Sequence, residues 1–237
     1  MEADPSVEAD PSVRADPASA ADALWLADWR RLIVDLYAEV RARSRTDPVG
    51  AWDLWRAERE RLFRTHPQSP VPEAERAAFR ARHFPYDPSL RFEAAVEAAV
   101  DATTEGRSAP EGRSAPAATL PVSSGSAMSF TRLGWVTVAF PNDTRRLAVY
   151  WMAGYAGGLF LPFGDATNSS QTYAAGRYAL DGAKGADLGG DPADGTLVVD
   201  LNFAYQPSCA FDPRWACPLA PPENRLDVAV RAGERLT

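Results

Sequence analysis

Residues 135–151 read Trp135-Val-Thr-Val-Ala-Phe-Pro-Asn-Asp-Thr-Arg-Arg-Leu-Ala-Val-Tyr-Trp151. Two runs that are rich in β-branched and aromatic residues, 135–140 and 146–151, follow a period of two, which is typical of β-strands. Between them, Pro141-Asn-Asp-Thr144 combines residue types that favour turns. This stretch therefore predicts an antiparallel β-hairpin.

More short strands are predicted beyond the hairpin, at residues 158–163, 172–180, 196–203 and 226–231. A Gly- and Asp-rich loop, residues 181–195, joins the middle two. Several short strands with turns between them favour an antiparallel β-barrel or sandwich. The alternation of strand and helix that a doubly wound fold requires is missing from the sequence. The predicted fold class is therefore mainly β.

The N-terminal side of the chain shows helical periodicity instead. Apolar residues from Trp25 to Val40 recur every three or four positions, which predicts an amphipathic helix with Asp22 as its cap. A second helix is predicted at about residues 49–64, and a short third one at about 72–82. One side of the second helix carries Trp52, Trp55, Arg59, Leu62 and Phe63. We expect these two or three helices to pack across one end or face of the β part.

Two duplicated segments divide the chain. Glu2-Ala-Asp-Pro-Ser-Val7 is repeated directly after itself, and its prolines and small polar residues predict a disordered tail over residues 1–20. Glu105-Gly-Arg-Ser-Ala-Pro110 is also copied in tandem, which predicts a flexible insertion at about residues 104–126. The remainder, residues 21–237, is expected to form a single domain, with a helical part at 21–84 and a β part at 85–237.

Composition and charge exclude several classes of protein. The chain has 237 residues, a net charge of −7 and a pI near 5.0, whereas a nucleic-acid binder needs a basic face. No apolar run approaches the roughly 20 residues of a membrane span. The acidic, proline-rich start lacks the apolar core of a signal peptide, which predicts a cytoplasmic protein. Lys184 is the single lysine among 25 cationic residues, which indicates a high-GC genome.

The sequence contains no common cofactor motif. There is no Gly-x-Gly-x-x-Gly after a strand, no P-loop, no His-Glu-x-x-His and no Gly-x-Ser-x-Gly elbow, so no cofactor is predicted. Cys209 and Cys217 are spaced unlike the ligands of a structural zinc site, and no metal is predicted. Buried free thiols are the leading interpretation of this pair, followed by a disulfide and then by a metal site. A nucleophilic role for Cys209 ranks last, because no His or cation adjoins it in sequence.

Several motifs occur in a fixed order along the chain: Phe84-Pro-Tyr-Asp-Pro88, Phe163-Gly-Asp-Ala-Thr-Asn168, Asp200-Leu-Asn-Phe-Ala-Tyr205 and Cys217-Pro-Leu-Ala-Pro-Pro-Glu-Asn-Arg-Leu226. With these motifs the chain resembles the bacterial and archaeal family DUF1684, in its shorter branch, over about residues 52–235. The resemblance implies a shared fold and draws attention to the motif residues. It implies no activity, because none is established for the family.

Arg177 is the central candidate for a binding site. Strand alternation would place Tyr173 and Arg177 on one face, and the small residues 174–176 would leave space beside the arginine. An arginine inside a barrel must be paired. It would either clamp the carboxylate or phosphate of a metabolite, or form a structural ion pair with Asp165 or Asp200. Both alternatives remain open at the level of sequence.

Other polar residues are candidates for the same site. The catalytic candidates, if the protein is an enzyme, are His66, Asp165 and Tyr173. For His66 the alternative is that it only closes the end of a helix. Candidate ligand-binding residues besides Arg177 are Thr167, Thr172, Tyr178, Asn202, Tyr205, Ser208 and Asn224.

Two functions follow from these patterns. The first is a small-molecule-binding β-barrel whose pocket, organised by Arg177, takes an anionic metabolite, with or without catalysis. The second is a non-catalytic structural or interaction module in which the motif residues form a buried polar network. Neither the oligomeric state nor the presence of a reaction is determined by the sequence.

Overall fold

The computed structural model describes residues 19–99, 117–125, 127–141, 143–154 and 157–236. The helices are α1 Ala20–Arg43, α2 Pro48–Thr65 and α3 Glu73–Arg76. The strands are β1 Arg82–His83, β2 Arg91–Ala95, β3 Glu97–Ala98, β4 Ala117–Pro121, β5 Ala127–Phe140, β6 Asp143–Met152, β7 Gly158–Phe163, β8 Arg177–Asp181, β9 Gly190–Asp191, β10 Thr196–Asp200 and β11 Glu234–Arg235. The predicted disordered tail, apart from Ser19 and Ala20, and the duplicated copies of the insertion lie outside the described residues.

The two long helices begin at side-chain caps. The Ser19 hydroxyl accepts a hydrogen bond from the Asp22 backbone N–H, so Ser19 caps α1 and the prediction of Asp22 is wrong. Asp47 caps α2 by accepting from the Gly50 N–H, and Pro48 occupies the first turn. The predicted apolar side of α2 is buried, and that of α1 is buried from Ile33 to Val40, whereas Trp25 near the start of α1 is exposed. The buried sides pack against each other and against the β part.

The third helix is much shorter than predicted. It ends at Arg76, because the chain beyond it is engaged by other parts of the fold. The Ala81 N–H donates to Glu60 Oε2 at 3.0 Å. Arg82 and His83 then pair with β11 as an extended strand. Tertiary pairing therefore overrides the local preference for helix.

The largest sheet contains the predicted hairpin. Its strand order is β3-β5-β6-β7-β8, and β4 also pairs with β5. Strands β5 and β6 pair antiparallel from Phe140 opposite Asp143 to Phe130 opposite Met152, which confirms the hairpin. A register shift between Arg132 and Gly134 bends β5.

Two smaller sheets complete the β part. One has the order β2-β10-β9, and the other pairs β1 with β11. The mainly β, antiparallel architecture with two long N-terminal helices is therefore confirmed. Within the ranges that the structure describes, the sheets form no closed barrel, and the choice between barrel and sandwich stays a prediction.

Three details of the predicted β part are wrong. The strand expected at 172–180 begins only at Arg177, because Gly176 has φ +99° and turns the chain. Residues 226–231 form no strand. Residues 117–121, expected within the flexible insertion, form β4 against β5, since pairing with an existing strand compensates for ordering the segment.

Two apolar cores hold these elements together. One lies between the helices and the large sheet and includes Trp55, Tyr150, Phe160 and Phe203. The other lies between the sheets and includes Val136, Leu161 and Val199. Among the described helices, none is both long enough and apolar enough to cross a membrane.

Candidate functional site

Arg177 lies in the β part with its whole side chain buried. Its Nη2 donates to Asp165 Oδ2 at 2.8 Å and to the Val230 carbonyl at 2.9 Å. Its Nη1 donates to the carbonyls of Ala232 and Glu234. Burial lowers the pKa of Arg177, and the charge of Asp165 opposes this effect. The guanidinium thus has the internal partner that the ion-pair alternative requires, whereas its Nε has no hydrogen-bond partner among the described residues.

Asp165 anchors the loop that precedes Arg177. Its Oδ1 accepts from the backbone N–H groups of Thr167 and Val230 at 2.8 and 3.2 Å. The hydroxyls of Thr167 and Thr172 lie 2.8 Å apart, and Asn168 Nδ2 donates to Thr172 Oγ1 at 2.9 Å. The two threonines are fully buried. Three predicted site residues therefore belong to one polar network inside the protein.

Asn202 and Asn224 connect separate segments of backbone. Asn202 Oδ1 accepts from the Asp87 N–H, and its Nδ2 donates to the Asp87 carbonyl, each at 2.8 Å. Asn224 exchanges two hydrogen bonds with the backbone of Ala148 in β6 and donates a third to the Pro162 carbonyl in β7. The two side-chain amides thus bond backbone N–H and carbonyl groups in segments that do not pair there through their own backbones.

His66 lies at the end of α2, against α1. Its backbone N–H donates to the Leu62 carbonyl, which closes the helix. The ring accepts from the Gln68 N–H at Nδ1 and pairs through Nε2 with Asp28 Oδ2 at 3.3 Å. It packs edge-on against Trp29. This geometry matches the helix-closing alternative.

The three predicted catalytic residues make separate contacts. His66 pairs with Asp28, Asp165 pairs with Arg177, and Tyr173 lies beside Cys209. The described part of the chain contains no group of three or more His, Cys, Asp or Glu that could hold a metal ion. The fold therefore does not assemble the predicted acid–base set at one place.

A cleft between the helices and the β part was missed at the level of sequence. One wall comes from α1 and α2 and consists of Trp29, Ile33, Leu36, Tyr37, Trp55 and Phe63. The opposite wall consists of Lys184, Ala186, Tyr205, Gln206 and Ser208. These residues enclose a cavity of about 50 Å³. Of the predicted ligand-binding residues, Tyr205 and Ser208 line this cleft.

A buried ion pair lies on the cleft wall. Arg59 Nη2 donates to Glu234 Oε2 at 2.9 Å, and the same oxygen accepts from the Gln206 N–H at 2.8 Å. The Arg59 guanidinium also lies over the rings of Phe63 and Tyr205, 4.2 and 4.6 Å from their centroids. An arginine within the apolar side of α2 is the sequence signal that could have indicated this cleft.

Two buried acceptors near the cleft lack partners. Asp181 Oδ1 and Gln206 Oε1 have no hydrogen bond within the part of the chain that the structure describes. The other Asp181 oxygen, Oδ2, accepts from the Tyr205 hydroxyl at 3.2 Å and pairs with Lys184 Nζ at 3.3 Å. Burial raises the pKa of Tyr37 and Tyr205, so both hydroxyls keep their protons.

The family assignment follows from comparison with known proteins. The family model described as "Protein of unknown function (DUF1684)" matches residues 79–235, which is most of the chain. The chain belongs to the DUF1684 family. The match begins after the two long helices, so it covers less of the chain than the resemblance did.

One protein of known structure is similar to this chain in both sequence and fold. An uncharacterized protein of Haloarcula marismortui, whose structure was solved by solution NMR, is 31% identical in sequence to this DUF1684 chain. The two structures superpose with a TM-score of 0.53. The likeness covers 76% of this chain and 90% of the Haloarcula chain. No curated protein matches the sequence.

Proposed function

We propose that this DUF1684 protein binds a small neutral molecule in the cleft between α1, α2 and the wall that contains Tyr205. The observation that supports this proposal is the pair of unpartnered buried acceptors, Asp181 Oδ1 and Gln206 Oε1. A buried acceptor without a partner costs about 1–3 kcal/mol. A ligand group that donates a hydrogen bond would recover part of this free energy.

The charges around the cleft favour a neutral ligand. Arg59 is neutralised by Glu234, and Lys184 is paired with Asp181. An incoming anion would be opposed by the two carboxylates, and an incoming cation by Arg59 and Lys184. This replaces the anionic metabolite of the sequence-based hypothesis, since Arg177 is engaged elsewhere.

The size of the cavity limits the group that enters it. Its volume of about 50 Å³ is smaller than the roughly 150 Å³ of a cavity that holds benzene. The cavity would therefore take a small head group of the ligand, such as an amide or a hydroxyl on a short apolar chain. Trp29, Lys184 and Ser208 keep contact with solvent, so a longer ligand body would leave the cleft beside them.

Four molecules with the same four-carbon body test this proposal: butyramide, 1-butanol, butyrate and butylammonium. Each is titrated into the ¹⁵N-labelled protein while the Trp55 indole and the Gln206 amide signals are followed by NMR. We expect butyramide and butanol to shift these signals, and butyrate and butylammonium to bind at least about tenfold more weakly. Stronger binding of butyrate would overturn the neutral selectivity.

A variant whose side chain fills the cleft provides a second test of the proposal. Ala186 is buried on the cleft wall, so Ala186→Leu should abolish binding of butyramide. Ala174→Leu is the control, because Ala174 is exposed. Equal binding by both variants, or no binding of any probe to the wild-type protein, would overturn the proposal.

The non-catalytic module remains the second candidate function. The buried network around Arg177 and Asp165 favours it, since those motif residues bond one another and the neighbouring backbone. Neither function includes a chemical reaction in the cleft.

A further inference from the structure

Cys209 and Cys217 lie against each other in the C-terminal part of the chain. Both are free and buried. The Cys209 backbone N–H donates to Cys217 Sγ at 3.3 Å. Cys209 lies in a short 3₁₀ turn, and the eight-residue step to Cys217 passes through the exposed Pro213 and Arg214. The Cys217 sulfur therefore lies directly against Cys209.

Polar groups from two other segments surround the Cys209 thiol. Its neighbours include the hydroxyls of Tyr173, from the loop before β8, and of Ser123, from the segment after β4. Ser123 is held there because its Oγ accepts from the Cys217 N–H at 3.0 Å and donates to the Trp215 carbonyl at 2.9 Å. Ser123 is exposed and Tyr173 is half-buried. The thiols thus lie directly below the surface.

This environment differs from that of an inert buried cysteine, which packs among apolar groups. Hydrogen bonds from Cys217, Ser123 and Tyr173 lower the pKa of Cys209, although burial opposes them. The pKa of Cys217 is raised by its bond to Cys209 and by burial. One thiol of the pair therefore ionises well before the other.

We propose that Cys209 and Cys217 are a redox site that reduces a hydroperoxide and closes to an intramolecular disulfide. The Cys209 thiolate attacks one peroxide oxygen, so that an S–O bond forms and the O–O bond breaks. The alkoxide that leaves takes up the thiol proton as an alcohol, and Cys209 becomes a sulfenic acid. Cys217 sulfur then attacks Cys209 sulfur, the S–O bond breaks, and the hydroxide leaves as water with the Cys217 proton. Two thiols are oxidised by two electrons, and one hydroperoxide is reduced.

The neighbours have defined roles in this reaction. Tyr173 is a positioning residue, because its hydroxyl can donate to the Cys209 thiolate without exchanging electrons. Ser123 is also a positioning residue, because its Oγ holds the Cys217 backbone in place. Cys217 is the resolving thiol, since it is adjacent and stays protonated longer. The thiol pair adjoins the proposed cleft, because Ser208 next to Cys209 lines it. The two proposals nevertheless rest on different groups and are tested with different probes, so either can fail while the other stands.

The direct test treats the reduced full-length protein with cumene hydroperoxide. We expect both thiols to disappear together, with a mass loss of two hydrogens and a disulfide between Cys209 and Cys217 in a non-reducing peptide map. Dithiothreitol should restore both thiols. Survival of both thiols in excess hydroperoxide, or a disulfide between two chains instead, would overturn the proposal.

Variants assign the two roles. Cys217→Ser should stop the reaction at the sulfenic acid, which dimedone traps on Cys209, whereas Cys209→Ser should react slowly and give no adduct. Tyr173→Phe should slow the oxidation of Cys209 several-fold and shift its pH profile upward. Tyr86→Phe is the matched control, since Tyr86 is also half-buried and bonds a different partner, Asp200. Equal rates in all four variants would contradict the assigned roles.

Discussion

Arg177 Nη2 and Asp165 Oδ2 lie 2.8 Å apart, and both side chains are fully withdrawn from solvent. The pair joins the start of β8 to the loop at residues 164–172. Asp165 and Arg177 each make further hydrogen bonds to the backbone around Val230 and Ala232. This pair therefore ties the C-terminal segment to the sheet.

Removing one partner of this pair should destabilise the protein strongly. We expect Arg177→Met to reduce the free energy of unfolding by about 3–5 kcal/mol, because it leaves the Asp165 charge buried and unpaired. Urea denaturation measures the change. Arg146→Met is the control, since Arg146 pairs with Glu97 at an exposed site and should cost no more than about 1 kcal/mol. A stable Arg177→Met protein would indicate that the guanidinium serves a ligand after all.

Gly176 should tolerate no side chain. Its φ is +99°, and an added Cβ would lie 2.4 Å from the Phe163 carbonyl oxygen. We expect Gly176→Ala to lower the midpoint of urea unfolding well below that of Gly195→Ala. Gly195 also has a positive φ, +65°, but an added Cβ there meets nothing within 4 Å, so its substitution should cost about 1 kcal/mol. Similar midpoints for the two variants would contradict the close approach.

His83 should make stability depend on pH. Desolvation lowers the pKa of His83 from 6.5 to about 4, and its ring packs against Trp55. Between these values the unfolded chain binds more protons than the folded one, so stability rises with pH. The contribution is complete above about pH 6.5 and is lost as the pH falls toward 4.

The comparison of wild type with His83→Phe isolates this contribution. The free energy of unfolding is measured for both proteins between pH 7 and pH 4.5. We expect the wild type to lose more stability than the variant over this interval, because carboxylates titrate in both and only the wild type must protonate a desolvated imidazole. If the free energy of unfolding depended on pH in the same way for both proteins, His83 would have the same pKa in the folded and unfolded states.

Local patterns were sufficient for much of the fold. The hairpin of β5 and β6 could be predicted because its alternation and its turn residues lie within seventeen consecutive positions. The apolar sides of α1 and α2 could also be predicted, because apolar residues such as Val40 in α1 and Trp55 in α2 recur every three or four positions. Where a distant partner decides the conformation, local pattern failed, as at His83 and Glu234, which pair in a two-stranded sheet.

The candidate sites depended on contacts across the chain. Sequence drew attention to Arg177 and Asp165 but left open whether the arginine binds a ligand or the aspartate. The cleft was not visible, because Tyr37 and Tyr205 come from segments 168 positions apart and meet only when the helices pack. Cys209 ranked last as a nucleophile for the same reason, since Tyr173 and Ser123 reach it only in the folded protein.

The sequence by itself determined which residues are apolar, where the chain can turn and how charge is distributed, because these properties depend on residues within a few positions of one another. Only the tertiary structure decided which polar groups are paired. Pairing depends on distances between segments remote in sequence. It pairs both Nη atoms of Arg177 but leaves Arg177 Nε, Asp181 Oδ1 and Gln206 Oε1 without hydrogen bonds in the described structure.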